Sequence, residues 1–477
     1  MARLFVFGIG GTGARVLRSL TMLMASGVEV GVDEICPILI DPDAGNADLT
    51  RTTSLLDLYM SINSKLTQPN KNKFFKTSLV PLVSNYYLEL KDTSSMTFAD
   101  YMGLNTMDIV SKSMMEMLFS KKNLESDMKV GFKGNPNIGS VVLNQLVPTD
   151  AFQQFVSLFS PGDKIFIINS IFGGTGASGF PLLLKILRES KPVDYAKASA
   201  IASAVIGAIT VLPYFTIEAE DETVSSINSS TFASKAKSAL AYYEENIYNN
   251  KQIDYLYFIG DDMMSEPYKN HEGGPEQCNK AHLIEMMAAT AIVDFSYVKG
   301  DERPKSPCPK ELGLKDETDT SVITFDNFYE QLKTMLYCPM IEFSLMANLF
   351  HYQFEEVKSS SLDANRRGEF SSIFSSDFIR NLKDFLEKYR GWLEEMEGNQ
   401  RKLKLFNLDS EKDPFKLVTH IPAKNSGFFM ARKGYNLVYH KLAEVAKHIT
   451  KVKKEDPSSF AEMYYLAMKE LVTNKFK

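Results

Sequence analysis

Residues 3–16 read RLFVFGIGGTGARV, a short apolar run that ends in glycines and continues as a helix-like pattern. Glycines between a strand and a helix let the backbone approach a phosphate, and the start of the helix supplies N–H donors and a partial positive charge. Gly8, Gly10 and Gly13 also satisfy the spacing of dinucleotide-binding loops. Alone, this loop predicts a phosphate-bearing ligand, an NAD(P) or FAD cofactor included, or a tight turn that binds nothing.

A second loop of this kind lies at residues 167–179, IINSIFGGTGASG, where an apolar strand pattern again runs into glycines and a helix. Neither loop ends in the Gly-Lys-Ser/Thr of a Walker-type site, so a P-loop NTPase is disfavoured. A Rossmann oxidoreductase needs only one such loop. Two loops at the ends of parallel strands can enclose one extended anion from two sides, which favours a polyphosphate ligand.

The rest of the first half alternates between strand and helix patterns, apart from a polar, helical insertion over roughly residues 50–128. Such alternation predicts an α/β fold with a mainly parallel, Rossmann-like sheet covered on both faces. The predicted strands are Arg3–Phe7, Ile35–Ile40, Lys164–Asn169, Ala204–Leu212 and Tyr255–Ile259, and the predicted helices are Gly13–Ala25, Gly179–Glu189 and Thr231–Asn246.

Helical periodicity from Glu276 to Tyr297 predicts one long central helix, and the charged, proline-containing stretch after it predicts a boundary. We therefore expect a nucleotide-binding domain over residues 1–270, the central helix within 271–300, and an α+β C-terminal domain over 301–477 with extra C-terminal helices. Its expected elements are strands at Ser321–Phe325 and Lys416–Ile421 and helices at Asp326–Asn348, Asp377–Glu397, Gly434–Lys453 and Ser458–Asn474.

The composition narrows the function classes. The 477 residues carry a formal net charge of -6, so the basic footprint of a nucleic-acid-binding protein is missing and no direct nucleic-acid binding is expected. The four cysteines are far apart, which argues against a zinc site or a disulfide framework and fits a reducing cytoplasm. The start does not have the pattern of a signal peptide, and no uncharged stretch reaches the ~18 residues that indicate a transmembrane helix.

The second glycine loop resembles a known family signature. Gly173-Gly174-Thr175-Gly176 is similar to the GGGTG(S/T)G motif of the tubulin/FtsZ superfamily, although Phe172 stands in place of the first glycine. Four further loops resemble FtsZ motifs in the family's order: GIGGTG at residues 8–13 is similar to GVGGGGG, DPDA at 41–44 to NTDA, GNPNIG at 134–139 to GANPEVG, and PYFTIE at 213–218 to PFxFE. The resemblance covers most of residues 1–300.

This resemblance implies a GTP or GDP ligand with Mg²⁺. Main-chain amides of the two glycine loops would hold the phosphates, at Gly10, Gly11, Thr12, Gly173, Gly174, Thr175 and Gly176, and Gly134 and Asn135 would sense the terminal phosphate. Asp43 would lie near the metal or the sugar, with Asp41 beside it, and Glu218 would contact the ribose. From the residues alone, the two aspartates could instead cap a turn, and Glu218 could equally be a solvated loop carboxylate.

Base recognition would fall to Asp261, or its neighbour Asp262, and to Asn279, with His282 as another polar candidate. A carboxylate can accept both the N1–H and the exocyclic amine of guanine, which favours guanine over adenine. His282 and Glu285 share a helix face, where a structural ion pair is a simpler interpretation than a catalytic pair.

The family's GxxNxDxxD element, which activates water across a subunit interface, is missing after the central helix. Asp326, at the start of the next helix, is our candidate replacement for the catalytic acid. The leading hypothesis is a GTP-binding protein that self-associates head to tail into filaments, with GTP hydrolysis left open because this element is missing. A non-hydrolysing, nucleotide-gated scaffold or adaptor of the same fold is the first alternative, and a Rossmann NAD(P) or FAD oxidoreductase is the second.

Overall fold

The structure of the chain is a computed structural model. It describes residues 2–43, 45–67, 71–84, 86–88, 96–128, 132, 135–216, 232–261, 274–276, 278–300, 302–315, 321–359, 373–411, 413–424, 433–449 and 456–477.

A parallel sheet organises the first part of the chain. Within the described residues it has seven strands in the order β3-β2-β1-β4-β5-β6-β7, and every neighbouring pair is parallel. The strands are β1 (Arg3–Ile9), β2 (Glu34–Ile40), β3 (Ser78–Leu79), β4 (Lys164–Ser170), β5 (Val205–Val211), β6 (Tyr255–Ile259) and β7 (Cys308–Lys310). Strands β4 and β5 are buried along their whole length, as expected where helices cover both faces.

Helices fill the connections and most of the second half. They are α1 (Gly10–Ala25), α2 (Ala47–Asn63), α3 (Phe98–Tyr101), α4 (Ile109–Leu118), α5 (Lys121–Leu124), α6 (Pro136–Val142), α7 (Asp150–Leu158), α8 (Gly174–Glu189), α9 (Ala198–Ala202), α10 (Phe232–Tyr243), α11 (Leu283–Ser296), α12 (Glu330–Ser359), α13 (Asp377–Glu397), α14 (Tyr435–His448) and α15 (Pro457–Phe476). Among the helices described, none is long and apolar enough to cross a membrane.

The predicted α/β fold class is confirmed, and all five predicted strands of the first half are present. Two strands were missed, β3 and β7. Strand β7 is short and partly exposed and pairs with β6, so the sheet includes residues beyond the predicted domain limit at residue 270. The ion pair of Arg303 with buried Asp254 (2.8 Å) holds this segment against the sheet edge, and no local pattern reveals that contact.

The central helix is shorter than predicted, because α11 begins at Leu283 rather than Glu276. His282 caps it: its ring Nδ1 accepts the Ile284 N–H, and Glu285 accepts the His282 N–H. This reciprocal capping fixes the first turn at Leu283, and Glu276 belongs instead to the short 3₁₀ turn Gly274–Glu276.

The second half contains one short parallel sheet in its described part, β8 (Val322–Ile323) paired with β9 (Lys402–Leu403), among long helices. The strand predicted at Lys416–Ile421 is wrong: Lys416 ends the 3₁₀ turn Pro414–Lys416, and Val418 forms only an isolated antiparallel bridge with Phe406. A shared core joins the two halves: Phe74 contacts Phe343 of α12 at 5.1 Å and Tyr465 of α15 at 5.2 Å between ring centroids.

Candidate functional site

The two glycine turns meet at the carboxyl edge of the sheet. Strands β1 and β4 are neighbours, with Gly8 opposite Ile168, so the turns that follow them lie side by side. Gly10 has a φ of 70° and opens α1. A Cβ placed on Gly10 would lie 3.5 Å from the Thr175 Cβ and 3.8 Å from the Gly176 nitrogen. The predicted phosphate residues of the two loops therefore border one common space.

The helices that start at these turns have uncapped N-termini. No side chain in the described part of the chain caps α1 at Ile9 or α8 at Gly173. By contrast, Asn46 caps α2 and Asn135 caps α6 through their side-chain oxygens. The first N–H groups of a helix lack intrahelical partners, so both glycine turns offer backbone donors at the positive ends of 16-residue helices.

Some of the glycines are required by packing alone. A Cβ on Gly13 would come within 2.4 Å of the Gly8 carbonyl carbon, and one on Gly176 within 2.7 Å of the Ser170 oxygen. These positions bring the helices close to their strands, whatever is bound. Gly11 is less crowded, and a Cβ there would lie 3.9 Å from Asn46 Nδ2. The turn after β2 thus approaches the first glycine turn.

The third predicted loop lies beside the second. Asn135 caps α6, which packs on α8 so tightly that a Cβ on Gly139 would lie 3.0 Å from the Ser178 Cβ. The structure therefore brings Asn135 next to the helix that opens at Gly174. Gly134 and Glu218, predicted for the terminal phosphate and the ribose, lie outside the described residues.

The aspartates after β2 are buried and bind backbone amides. Asp41 Oδ1 accepts the Asp43 N–H at 3.0 Å, and Asp43 accepts the N–H groups of Gly45 (3.1 Å) and Gly274 (2.6 Å). Burial, together with the charges of Asp43 and Asp48, raises the pKa of Asp41 to about 7. Both aspartates thus act as turn-forming residues.

The carboxylates of Asp41 and Asp43 provide few ligands for a magnesium ion. No group of three or more metal-binding side chains occurs among the residues described. Each carboxylate oxygen of Asp43 accepts one of these N–H groups and has a second lone pair with which it could also bind a cation. Mg²⁺ bound with a nucleotide takes its other ligands from phosphates and water.

The residues predicted to recognise the base are already paired within the chain. Asp261 forms an ion pair with Arg401 at 2.6 Å. The Asn279 side-chain amide donates to Asp48 Oδ2 at 2.9 Å, and its backbone N–H donates to Asp48 Oδ1. Charge interactions of His282 with both Asp261 and Arg401 show that these groups lie close together, at the start of α11.

A buried ionic cluster links α1 to this region, and sequence reasoning missed it. Arg15 binds Asp48 of α2 at 2.8 Å and Glu285 of α11 at 2.5 Å. It also donates to the Tyr214 hydroxyl at 2.9 Å, and that hydroxyl donates to Glu285 at 2.8 Å. The charge of Arg15, directly after the first glycine loop, was the available signal. The cluster fixes α1, α2 and α11 relative to one another.

His282 and Glu285 do not form the predicted ion pair. Glu285 binds Arg15 and the His282 backbone, and the His282 ring lies 4.9 Å from the Tyr214 ring. Burial lowers the pKa of His282 to about 4, so the ring is neutral at neutral pH. His282 and Glu285 therefore have a structural role, because together they cap the first turn of α11.

Asp326 lies near the C-terminal end of α11, away from the Arg15 cluster at the start of that helix. It belongs to the 3₁₀ turn Phe325–Asn327 and forms an ion pair with Lys333 at 2.8 Å. Nearby Gln331 binds Asp294, near the end of α11, whereas Glu285 near its start binds Arg15. Those nine residues of helix span about 14 Å. Asp326 therefore lies far from the glycine turns of its own chain and is not part of the site that they form.

A cavity of about 870 Å³ opens beside the second glycine turn. Pro136 and Asn137 line it near Gly173, and it continues between α8 and α10 as far as Asn250. Its size lies within the range of small-molecule sites.

Comparisons with known proteins add little to the geometry of the chain itself. No family model and no curated protein matches the chain. Among solved structures it is similar to CetZ2 from Haloferax volcanii, described as a GTPgS-bound protofilament, with 13% identity and a TM-score of 0.30. The match covers 62% of this chain and 58% of that one, so the chain spans little more than half of the CetZ2 chain. A superposition this loose transfers no residue roles.

Proposed function

We propose that the chain binds a guanine nucleotide at the paired glycine turns and self-associates head to tail. The observation that carries the binding proposal is the contact between the turns at Gly10 and Thr175. Because α1 and α8 both start there without side-chain caps, backbone N–H groups from two helices point toward one space. A di- or triphosphate matches donors that arrive from two directions.

The second turn also distinguishes this proposal from a Rossmann oxidoreductase. A dinucleotide pyrophosphate needs only one helix N-terminus. Here a second uncapped helix would have no ligand if NAD(P) or FAD were bound in the usual way. The oxidoreductase alternative predicts a change in NADH fluorescence on mixing with the protein.

Guanine is the proposed base because Asp261 offers a carboxylate to N1–H and the exocyclic amine. Arg401 competes for that carboxylate at 2.6 Å, so the base would have to share or displace this partner. Asp261→Asn should therefore weaken the preference for GTP over ATP. Mg²⁺ would accompany the nucleotide, with Asp43 as its candidate carboxylate, directly or through water.

Head-to-tail association is the second part of the proposal, and hydrolysis depends on it. Asp326 lies beyond the far end of α11 from its own glycine turns, so it could meet a γ-phosphate only from another copy. The Asp326 side chain is 57% exposed and its ion pair with Lys333 is a weak surface contact, so both hydrolysis and the alternative of a non-hydrolysing scaffold stay open. That alternative predicts nucleotide binding without phosphate release.

The test is calorimetry of the purified chain with GTP, ATP and NADH in the presence of Mg²⁺. We expect saturable binding of GTP and weaker binding of ATP. Absence of binding by any nucleoside triphosphate would overturn the proposal. Sedimentation with GTP then tests self-association separately, and phosphate release distinguishes a GTPase from a scaffold.

A further inference from the structure

Asn279, which precedes α11, has a side-chain amide whose position is determined by its neighbours. Its Nδ2 donates to Asp48 Oδ2 at 2.9 Å, and its backbone N–H donates to Asp48 Oδ1 at 3.1 Å. Its backbone carbonyl accepts an N–H of Arg51 at 3.1 Å. The main chain and the half-buried side chain of Asn279 are therefore both held in place.

The Asp48 carboxylate permits only one orientation of this amide. An ionised carboxylate accepts hydrogen bonds and donates none, whereas an amide has one end that donates and one that accepts. Asp48 is also paired with the Arg15 cation, whose Nη1 donates to Asp48 Oδ2 at 2.8 Å. If the Asn279 amide were turned over, its oxygen would lie against that carboxylate with no proton between the two atoms. The Asn279 Nδ2 must therefore face Asp48.

The other end of the amide is a free acceptor. In the part of the chain that the structure describes, no group donates to the Asn279 side-chain oxygen. A half-buried acceptor without a donor costs free energy unless water or a ligand provides a hydrogen bond. The fixed amide therefore offers an acceptor, and not a choice of donor or acceptor, to a ligand beside it.

This acceptor lies close to the first glycine turn. A Cβ on Gly11 would be 3.5 Å from Arg15 Nη1. That nitrogen donates to the same Asp48 oxygen to which the Asn279 amide donates. The amide is thus two hydrogen bonds away from a nitrogen that borders the turn proposed to hold phosphates. The nucleoside of a ligand bound at that turn can span this distance.

We propose that Asp48 is a positioning residue, which orients the Asn279 amide so that its oxygen accepts the exocyclic amine of guanine. The inference rests on the proposed function, because it requires a guanine nucleotide at the glycine turns. Guanine has two adjacent donors, N1–H and the exocyclic amine, and Arg401 already competes for the Asp261 carboxylate. Asn279 provides an acceptor from a second segment of the chain, so both donors of the base can be paired.

A fixed acceptor at this position selects between purines that differ by one group. Inosine triphosphate (ITP) keeps the N1–H of guanine and lacks the exocyclic amine. A site that is built to bind an N–H group rejects an analogue without it, because the acceptor is then left unpaired. We therefore expect the parent chain to bind GTP roughly tenfold more tightly than ITP, or more.

Calorimetry with GTP and with ITP, in the presence of Mg²⁺, tests the role of Asp48. In Asp48→Asn the new side chain cannot accept at both of its terminal atoms, so the Asn279 amide loses its fixed orientation. We expect the preference for GTP over ITP to fall to about threefold or less, mainly through weaker binding of GTP. Asp57→Asn, at an exposed position of the same helix, is the matched control and should keep the parent preference.

A double variant separates orientation of the amide from support of the fold. Asp48→Asn combined with Asn279→Asp exchanges the amide and the carboxylate, and a carboxylate presents an acceptor whichever way it turns. We expect this double variant to regain most of the preference for GTP. If Asp48 had only a structural role, its substitution would lower the affinities for GTP and ITP by the same factor, and the exchange would restore no preference.

An unchanged preference for GTP in folded Asp48→Asn would overturn the proposal. If that variant does not fold, Asn279→Ala decides, because it removes the acceptor itself: loss of the preference supports the proposal, and its persistence overturns it. A parent chain that binds GTP and ITP equally well would defeat this inference and leave nucleotide binding standing. A parent chain that binds neither would defeat the proposed function, and this inference with it.

Discussion

Gly10 and Thr175 lie against each other although they follow different strands: a Cβ on Gly10 would be 3.5 Å from that of Thr175. The contact arises because β1 and β4 are adjacent and parallel, so both strands end at the same edge. Each strand is followed by a helix without a side-chain cap. The proposed phosphate site is the consequence of this adjacency.

Arg15→Met should destabilise the chain strongly. It leaves Asp48 and Glu285 buried without their cation, and breaking a buried ion pair on one side costs roughly 3–5 kcal/mol. Urea unfolding followed by circular dichroism measures the loss. Adding Glu285→Gln should restore part of it. A loss below about 1 kcal/mol would show that the cluster contributes little.

Glu395→Gln should loosen the attachment of α13 to the sheet domain. Glu395 accepts hydrogen bonds from Arg18 (3.1 Å), from Arg51 and from the Ala281 N–H (2.7 Å), so the variant should lose about 1–3 kcal/mol of unfolding free energy. Glu397→Gln, whose partner Lys404 is partly exposed, is the control and should lose less than about 1 kcal/mol. Equal losses in the two variants would contradict this account.

The pH dependence of stability should change in Glu342→Gln. Burial raises the pKa of Glu342 to about 7, against the opposing charges of Lys469, Lys477 and Lys73. Between about pH 4.5 and 7 the folded state therefore binds more protons than the unfolded state, so unfolding free energy falls as pH rises, by up to roughly 3 kcal/mol.

In Glu342→Gln that decline should be absent, so its advantage over the parent chain grows toward pH 7. Glu355→Gln, at an exposed position of the same helix, should keep the parent profile. Urea midpoints at several pH values provide the measurement. If the unfolding free energy of Glu342→Gln fell by the same amount over this pH range, the decline would have to come from other titratable groups.

Sequence patterns within a few residues predicted the strands whose ends are set by their own neighbouring residues. Strands β1, β2, β4 and β5 are apolar runs followed by glycine, aspartate or proline, and the structure has them within two residues of the predicted ends. Strand β7 lies beside β6 next to the ion pair between Arg303 and Asp254, and no periodicity encodes such a long-range contact.

In the candidate site, too, features that follow from local sequence could be predicted, whereas contacts between distant residues could not. The proximity of the glycine turns follows from parallel strands, so it could be expected from the sequence. The pairing of Asp261 with Arg401 joins residues from distant parts of the chain, so it could not. The motif resemblance identified positions near the site, whereas the internal partners of Asp261 and Asn279 emerged only from the folded structure.

If the chain hydrolyses GTP, Asp326 should act in trans. Asp326→Ala should reduce phosphate release at least tenfold while GTP binding persists. A mixture of Asp326→Ala with a chain that cannot bind nucleotide should recover part of the release, because each supplies what the other lacks. A mixture that recovers nothing, although the parent chain is active, would contradict catalysis between copies.

The most direct test of the central claim is the GTP affinity of Gly10→Val, measured by calorimetry with Mg²⁺. Gly162→Ala is the matched control, because Gly162 also has a positive φ but a Cβ there meets no atom within 4 Å. A side chain on Gly10 enters the space between the turns, so we predict at least a tenfold loss of affinity in Gly10→Val and none in Gly162→Ala. Parental GTP affinity in a folded Gly10→Val would contradict a phosphate site between these turns.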